Sequence, residues 1–349
     1  MSLKRSKNKY ATIVISLVLA LIFSVVLFST IGTANIKILD TFKIIGSKLP
    51  FIGGKINIDG IPDSHKTIIL KIRLPRVLLG VLVGASLSSA GVAFQGMFKN
   101  PMADPYVMGI SSGAALGASL AIILGMRKTI FAISPISFFA FIGSLITVFS
   151  VYFISRVKNK VPVTNLLLSG VAIGQFLTAI MSFLMVIYSK DMEKIIFWTL
   201  GSLSGKGWEP LIRIALPTIA SIAILNFFAR DLNIILTGEE SAKSLGVEVE
   251  KIKIYILVLS SFMTAMVVSV SGIIGFVGLI IPHIVRLLVG PDHRILLPSA
   301  ALVGGIFMIF ADTMARTIIS PVEIPVGIIT AMFGGPFFIY LLRKKKKGI

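Results

Sequence analysis

Long uncharged apolar runs separated by short polar connections dominate the pattern along the chain. Residues 11–36, 77–98, 105–126, 129–155 and 161–189 each contain no Asp, Glu, Lys or Arg. A bilayer core about 30 Å thick takes about 20 helical residues to cross, so each run is long enough to cross once. Residues 214–229 are a shorter run that borrows its first turn from 209–213. Residues 254–285 carry no Asp, Glu, Lys or Arg over 32 positions. At about 1.5 Å per residue that is about 48 Å, too long for one crossing. Ser271-Gly272, with Gly275 and Gly278, offers a place to turn, so two helices are predicted there. Runs 295–319 and 324–342 complete the pattern. It predicts an all-α integral membrane protein with ten transmembrane helices, folded as one polytopic domain.

The first run follows Lys4, Arg5, Lys7 and Lys9, as the apolar core of a signal peptide would. It is longer than the roughly 7–15 residues of such a core, and further spans follow, so an uncleaved helix is predicted. The polar remainder comprises a basic N-terminus (1–10), an outer segment (35–66), a second outer segment (190–213) with both tryptophans, an inner segment (230–252) and a basic tail (343–349).

Composition agrees with this pattern. Hydrophobic residues make up 55% of the chain and charged residues 14%; mean hydropathy is +0.95. A soluble domain carries about 25% charged residues, so this chain lacks the means to cover a water-facing surface. The absence of cysteine excludes disulfides and thiolate metal sites. A net charge of +19 would suggest nucleic acid in a soluble protein, but here it is read against the bias of basic residues toward the cytoplasm. An even number of spans puts both termini on one side, and their basic clusters make that side cytoplasmic. With this orientation 19 of the 34 Lys and Arg residues lie inside. The bias is modest, and the outer excess asks for a separate reason.

No catalytic set is present. Gly201–Gly207 (GSLSGKG) has three rather than four residues between its glycines, and Gly207 stands where a phosphate loop needs Ser or Thr. The chain is therefore not read as an ATPase or any other enzyme. His65, His283 and His293 lack metal-ligand spacing, and hydrogen-bonded structural roles are expected for them. No cofactor or metal is expected. Small residues recur through Gly80, Gly84, Ala85, Ser88, Ser89, Gly91 and Gly96, and again from Gly109 to Ala118. They permit close helix approach in lipid, and two readings stay open: a tight bundle, or helices that slide along a pathway. Between the two series, Pro101 and Pro105 break the helix after Lys99.

Several motifs appear in one order: Arg73-Leu74-Pro75-Arg76, Gln95, Asn100-Pro101, Ala103-Asp104-Pro105, and Gly109-Ile110-Ser111-Ser112-Gly113-Ala114. Trp198-Thr199-Leu200-Gly201, GEESAKSLGV at 238–247, GFVGLIIPHIVR at 275–286, Asp292-His293-Arg294 and Glu323-Ile324-Pro325-Val326-Gly327 follow. From about residue 71 to 342 this series resembles the FecCD-type permeases, the membrane subunits of ABC importers for iron chelates, heme and cobalamin. The resemblance implies a homodimer with the pathway at its interface, two ATPase subunits inside, and a substrate-binding protein outside. It implies that Gly238, Glu239, Glu240, Ala242, Leu245, Gly246 and Val247 couple to the ATPase. It implies that Arg73, Arg76 and Arg316 dock the binding protein. It also implies a cytoplasmic gate at Asn100, Pro101, Met102, Val163, Thr164 and Asn165.

The residues alone leave plainer readings beside each of these. The inner segment could be a solvated loop. The arginines could be satisfied by lipid phosphate or by internal pairs, Asp312 and Arg316 being four apart on one helix face. An ion-coupled secondary transporter, with Asp312 as its buried carboxylate, is the competing class. Within the importer class a ferric siderophore is the expected cargo, with cobalamin and heme as alternatives.

Overall fold

The computed structural model describes residues 2–50, 53–158 and 160–346. Parts of the predicted N-terminus, outer segment and basic tail (residue 1, residues 51 and 52, and residues 347–349) lie outside it. The rest is built from helices: α1 (Ser2–Thr30), α2 (Ile38–Gly46), α3 (Asp63–Thr67), α4 (Leu74–Met97), α5 (Ile110–Ile123), α6 (Pro135–Ser155), α7 (Val163–Ile187) and α8 (Met192–Thr199). These are followed by α9 (Trp208–Phe227), α10 (Ala229–Leu236), α11 (Glu239–Ser244), α12 (Val249–Ser271), α13 (Val277–Val289), α14 (His293–Thr317) and α15 (Val326–Lys346).

Among the described residues seven helical stretches are long and apolar enough to cross a membrane; they fall on α1 (from Tyr10), α4, α6, α7, α9, α12 and α14. α5, α13 and the apolar part of α15 are shorter, and they occupy the three remaining predicted runs. The long run 254–285 divides where the glycines suggested. α12 stops at Ser271, and Gly272 takes a positive φ before α13 begins.

Two runs start later than predicted. In 105–126 the chain first makes a 3-10 turn over Pro105–Met108, and the left-handed Gly109 (φ 74) then opens α5. In 129–155 the residues before Pro135 form a tight turn with Phe131 and Ala132 at positive φ, and Pro135 starts α6. Both helices begin where a proline or a left-handed residue permits, rather than where charge stops.

α4 is the centre of the bundle, packed against α9, α12, α13 and α14. Its small residues make this approach close. A Cβ on Gly84 would collide with the carbonyl of Gly304, and one on Gly91 with that of Gly278. In lipid, where apolar burial between helices gains little, such backbone proximity supplies the dispersion contacts that hold helices together. Of the two readings of the small residues, tight bundling is the one these contacts display. α1 and α7 lie at the periphery, with 6% and 11% of their apolar windows buried.

α3 runs into α4 through a π-turn, Ile68–Arg73. Pro75 has no N–H to give and would crowd the carbonyl four residues back. The wider turn accommodates it, with the Leu74 N–H bonded to the Ile69 carbonyl. The described residues of segment 35–66 carry α2 and most of α3, and Ile36, Ile44 and Ile61 form a separate apolar cluster with Ile69 of the π-turn.

Candidate functional site: the two ends of the helix bundle

One end of the bundle carries α10 and α11. Three residues fix α10 there: Asn233 donates to Asp292 Oδ1 at 2.7 Å, and its own Oδ1 accepts from the His293 backbone N–H at 2.9 Å and lies 2.8 Å from His293 Nδ1. Asp292 caps α14 by accepting from the Arg294 N–H, and Tyr10 of α1 donates to its other oxygen at 3.4 Å. Burial alone would raise the Asp292 carboxyl, but these hydrogen bonds hold it below its usual range. His293 is thus a hydrogen-bonded structural residue, as expected for it.

α11 sits between two glycines in unusual conformations, Gly238 (φ 127) and Gly246 (φ 82). Its end is closed in the Schellman pattern: the Val247 N–H bonds the Ala242 carbonyl at 3.0 Å and the Gly246 N–H bonds the Lys243 carbonyl at 2.9 Å. The accompanying apolar contact is present, since Ala242 and Val247 are buried together with Ile235 and Val249. Glu239 is tied down through Lys253, whose Nζ lies 2.7 Å from its carboxylate. That contact lowers the Glu239 pKa from its ordinary value. The rest of α11 faces outward: Glu240, Lys243 and Gly246 are exposed, and Leu245 is 66% exposed. An adjoining hollow of about 360 Å³ is lined by Arg230, Asp231, Leu245 and Gly246, among others.

A polar chain leads from this segment to α7. Lys253 also reaches Glu250 at 3.3 Å, and the other oxygen of Glu250 accepts the Val161 N–H at 3.2 Å. Val161 stands two residues before α7, whose first turn holds Val163, Thr164 and Asn165. Val163 lines a small cavity with Met97 and Phe98 at the end of α4. Asn100 and Pro101 follow at the surface, where Asn100 Oδ1 accepts the Met102 N–H at 2.9 Å. The expected gate residues therefore lie at the same end as α11. Within one chain only Val163 is packed against the α4 end, while Thr164 is exposed.

The other end gathers the three arginines and holds them in internal contacts, one of the plainer readings left open for them. Arg73, Arg76 and Arg316 are buried, at 6%, 9% and 9% exposure. Arg76 grips Asp312 in a fork, Nε and Nη2 each 2.9 Å from a carboxylate oxygen, and its Nη1 reaches both oxygens of Glu323 at 3.0 Å. Arg73 donates to the carbonyls of Ser29, Thr30 and Ala34. Arg316 donates to those of Phe28 and Ile31 and to the Thr313 hydroxyl. A helix leaves its last four carbonyls unpaired and carries partial negative charge there. Two guanidinium groups supply that need for α1. Asp312 thus pairs most closely with Arg76, while Arg316, its neighbour one turn away, forms a longer ion pair with it at 3.9 Å. Burial would raise Glu323, but hydrogen bonds from Arg76 and Ser204 hold it low. Most of their donors are engaged inside the fold, although Arg316 Nε is buried without a hydrogen-bond partner.

The FecCD transport family model matches residues 17–344. The chain belongs to the FecCD transport family. It is similar to the cobalamin import system permease protein BtuC of Halobacterium salinarum, 48% identical over 82% of this chain and 76% of that protein. It is also similar to the hemin transport system permease protein HmuU of Yersinia pestis, at 41% identity over 82% of this chain and 86% of that one. A solved structure described as an inward-facing conformation of a metal-chelate type ABC transporter superposes with TM-score 0.81. It is 32% identical and covers 96% of this chain and 99% of the other. As a FecCD member the chain is a membrane permease of the ABC importer class. Among the described residues no group of His, Asp and Glu is placed to hold a metal ion.

Sequence reasoning missed Asn233, Lys253 and Glu250 as fasteners of the α10–α11 segment, and Glu323 as the second partner of Arg76. Glu323 was visible as part of a motif. Its pairing, 247 residues from Arg76, leaves no local pattern to read.

Proposed function

We propose that this chain is the membrane-spanning subunit of a binding-protein-dependent ABC importer that carries a metal chelate, a ferric siderophore in the first instance, into the cytoplasm. In this reading the three shorter apolar helices also span, giving ten crossings with both termini cytoplasmic. Two copies form the pathway, and two ATPase subunits bind the α11 ends. The observation that carries it is α11 itself. It is a short helix pinned on one side by Ala242, Val247 and Glu239 and offering Leu245 to solvent on the other. An exposed leucine beside a polar hollow, on a rigidly held helix, is what a docking knob requires, and a solvated loop would need neither the pins nor the knob. The Lys253–Glu250–Val161 chain gives that knob a mechanical connection to α7 and to a gate at Val163, Thr164 and Asn165 opposite Asn100, Pro101 and Met102.

The binding protein docks at the arginine end in this proposal, on a surface that Arg73, Arg76 and Arg316 support from beneath rather than touch. The named cargoes of the relatives, cobalamin and hemin, are the alternatives within the class. A secondary transporter loses its main candidate, because both oxygens of Asp312 are engaged by Arg76. The experiment is reconstitution with the cognate ATPase and binding protein. ATP-driven uptake of a ferric siderophore supports the proposal, and uptake driven by an ion gradient through the permease alone overturns it.

A further inference from the structure

At the arginine end, α6, α9 and α12 part to leave a cavity of about 530 Å³. Its walls are apolar: Phe138 and Phe141 of α6 on one side, Ile214 of α9 and Met266 and Val270 of α12 on the other. The volume falls in the range of about 300–1,000 Å³ that holds small organic ligands. Further along the same helix pair lies a second cavity of about 280 Å³, walled by side chains such as Leu145, Phe149, Leu257 and Val258. The edge-to-face pair Phe141–Phe262, ring centroids 5.8 Å apart, links their linings, Phe141 belonging to the first and Phe262 to the second. The two cavities thus follow one another along the apolar α6–α12 seam, called the furrow below. The surface beside it is lipid-facing in character, with Phe149, Phe153, Leu216 and Ile219 all exposed.

The mouth is not apolar. Lys206 lines it together with Glu209 and Arg213. Glu209 and Arg213 form an ion pair one helical turn apart on α9. Lys206 has no ion-pair or side-chain hydrogen-bond partner among the described residues, and burial lowers its pKa from the ordinary lysine value. The mouth thus holds one cation more than it has anions. A partly desolvated, unpaired ammonium above an apolar furrow fits a ligand with an anionic head and a hydrocarbon tail.

We propose that this furrow holds an anionic phospholipid of the adjoining leaflet, with its phosphate at Lys206 and an acyl chain along the α6–α12 seam. The site rests on the chain being a membrane protein and is independent of the cargo and of ATPase docking. Phe138 stands where the glycerol backbone would lie, so a photoreactive residue placed there reports on what fills the furrow.

The test uses the full chain in bilayers mixed from phosphatidylglycerol and phosphatidylcholine, extracted gently and weighed by native mass spectrometry. Retained phosphatidylglycerol in excess of phosphatidylcholine is expected. Lys206→Ala should lower that retention about fivefold, the scale of one basic side chain at an anionic surface, and Lys206→Arg should restore it. A benzophenone at position 138 should cross-link lipid. Equal retention of both lipids, or phosphatidylglycerol retention unchanged in Lys206→Ala, overturns the proposal. So does cross-linking from position 138 to a binding protein or to a second permease copy.

Discussion

Replacing Asp312 with asparagine separates a supporting role for the buried arginines from a docking role. In the wild type Asp312 accepts two short hydrogen bonds from Arg76 while 2% exposed. Asp312→Asn keeps the volume but removes the charge and one acceptor, leaving Arg76 with Glu323 alone. Removing one partner of a fully buried ion pair costs about 3–5 kcal/mol. Glu323 still compensates part of the guanidinium charge, so the lower end, about 3 kcal/mol, applies. At about 2–4 °C per kcal/mol for a larger domain, the apparent unfolding midpoint of the purified permease should fall by about 6 °C or more. The assay is thermal unfolding in one fixed detergent, with binding-protein affinity measured on the same samples below the transition. If instead Arg76 serves as a docking charge, losing Asp312 frees it, and affinity should rise while the midpoint stays put. An unchanged midpoint would refute the argument from burial and geometry.

Four further outcomes follow from the same geometry. Lys253→Met should leave the ATPase subunits bound and hydrolysing ATP while transport per ATP falls at least severalfold, because it cuts the Glu239–Lys253–Glu250 link; normal stoichiometry of transport would refute the link. Leu245→Asp should weaken ATPase binding by about tenfold, the loss of one buried anchor side chain, without shifting the unfolding midpoint of the isolated permease. Gly91→Leu should prevent stable folding, since even a Cβ there meets the Gly278 carbonyl, and recovery of monodisperse protein at wild-type yield would contradict that packing. Because Lys253 lowers the Glu239 pKa, the anchorage this carboxylate provides is complete above the ordinary glutamate value of about 4 and is lost only as pH falls through the lower folded value. Amide exchange in α11 should therefore accelerate only below about pH 4, and acceleration nearer neutrality would count against the contact.

The apolar runs and their breaks were legible in the sequence because lipid imposes a length and a polarity that few residues can violate. The turn at Gly272 was legible for a similar reason: positive φ selects glycine. The start of α5 was not, since an uncharged run does not reveal that Pro105 and Gly109 hold its first residues out of the helix. The internal partners of the arginines were hidden for a different reason. A sequence shows a cation near a predicted helix end but not which acceptors surround it. Here the acceptors are backbone carbonyls of α1, which carry no residue signature, and Glu323, which lies far along the chain. Fasteners such as Asn233 and Lys253 are ordinary polar residues made informative only by what folding brings beside them.

The clasp on α1 has a temporal meaning. α1 leaves the ribosome well before α14, yet along its length it is scarcely buried. Its ends are held by Tyr10 on Asp292 at one side and by Arg73 and Arg316 at the other. Asp292 caps α14 and Arg316 lies in its last turn, so two of the three latches come from a helix made long after α1. Until α14 inserts, only Arg73 holds α1. A nascent permease that stalls before α14 therefore carries a loose helix with bare carbonyls. Closure of the clasp ties the seating of α1 to the arrival of α14.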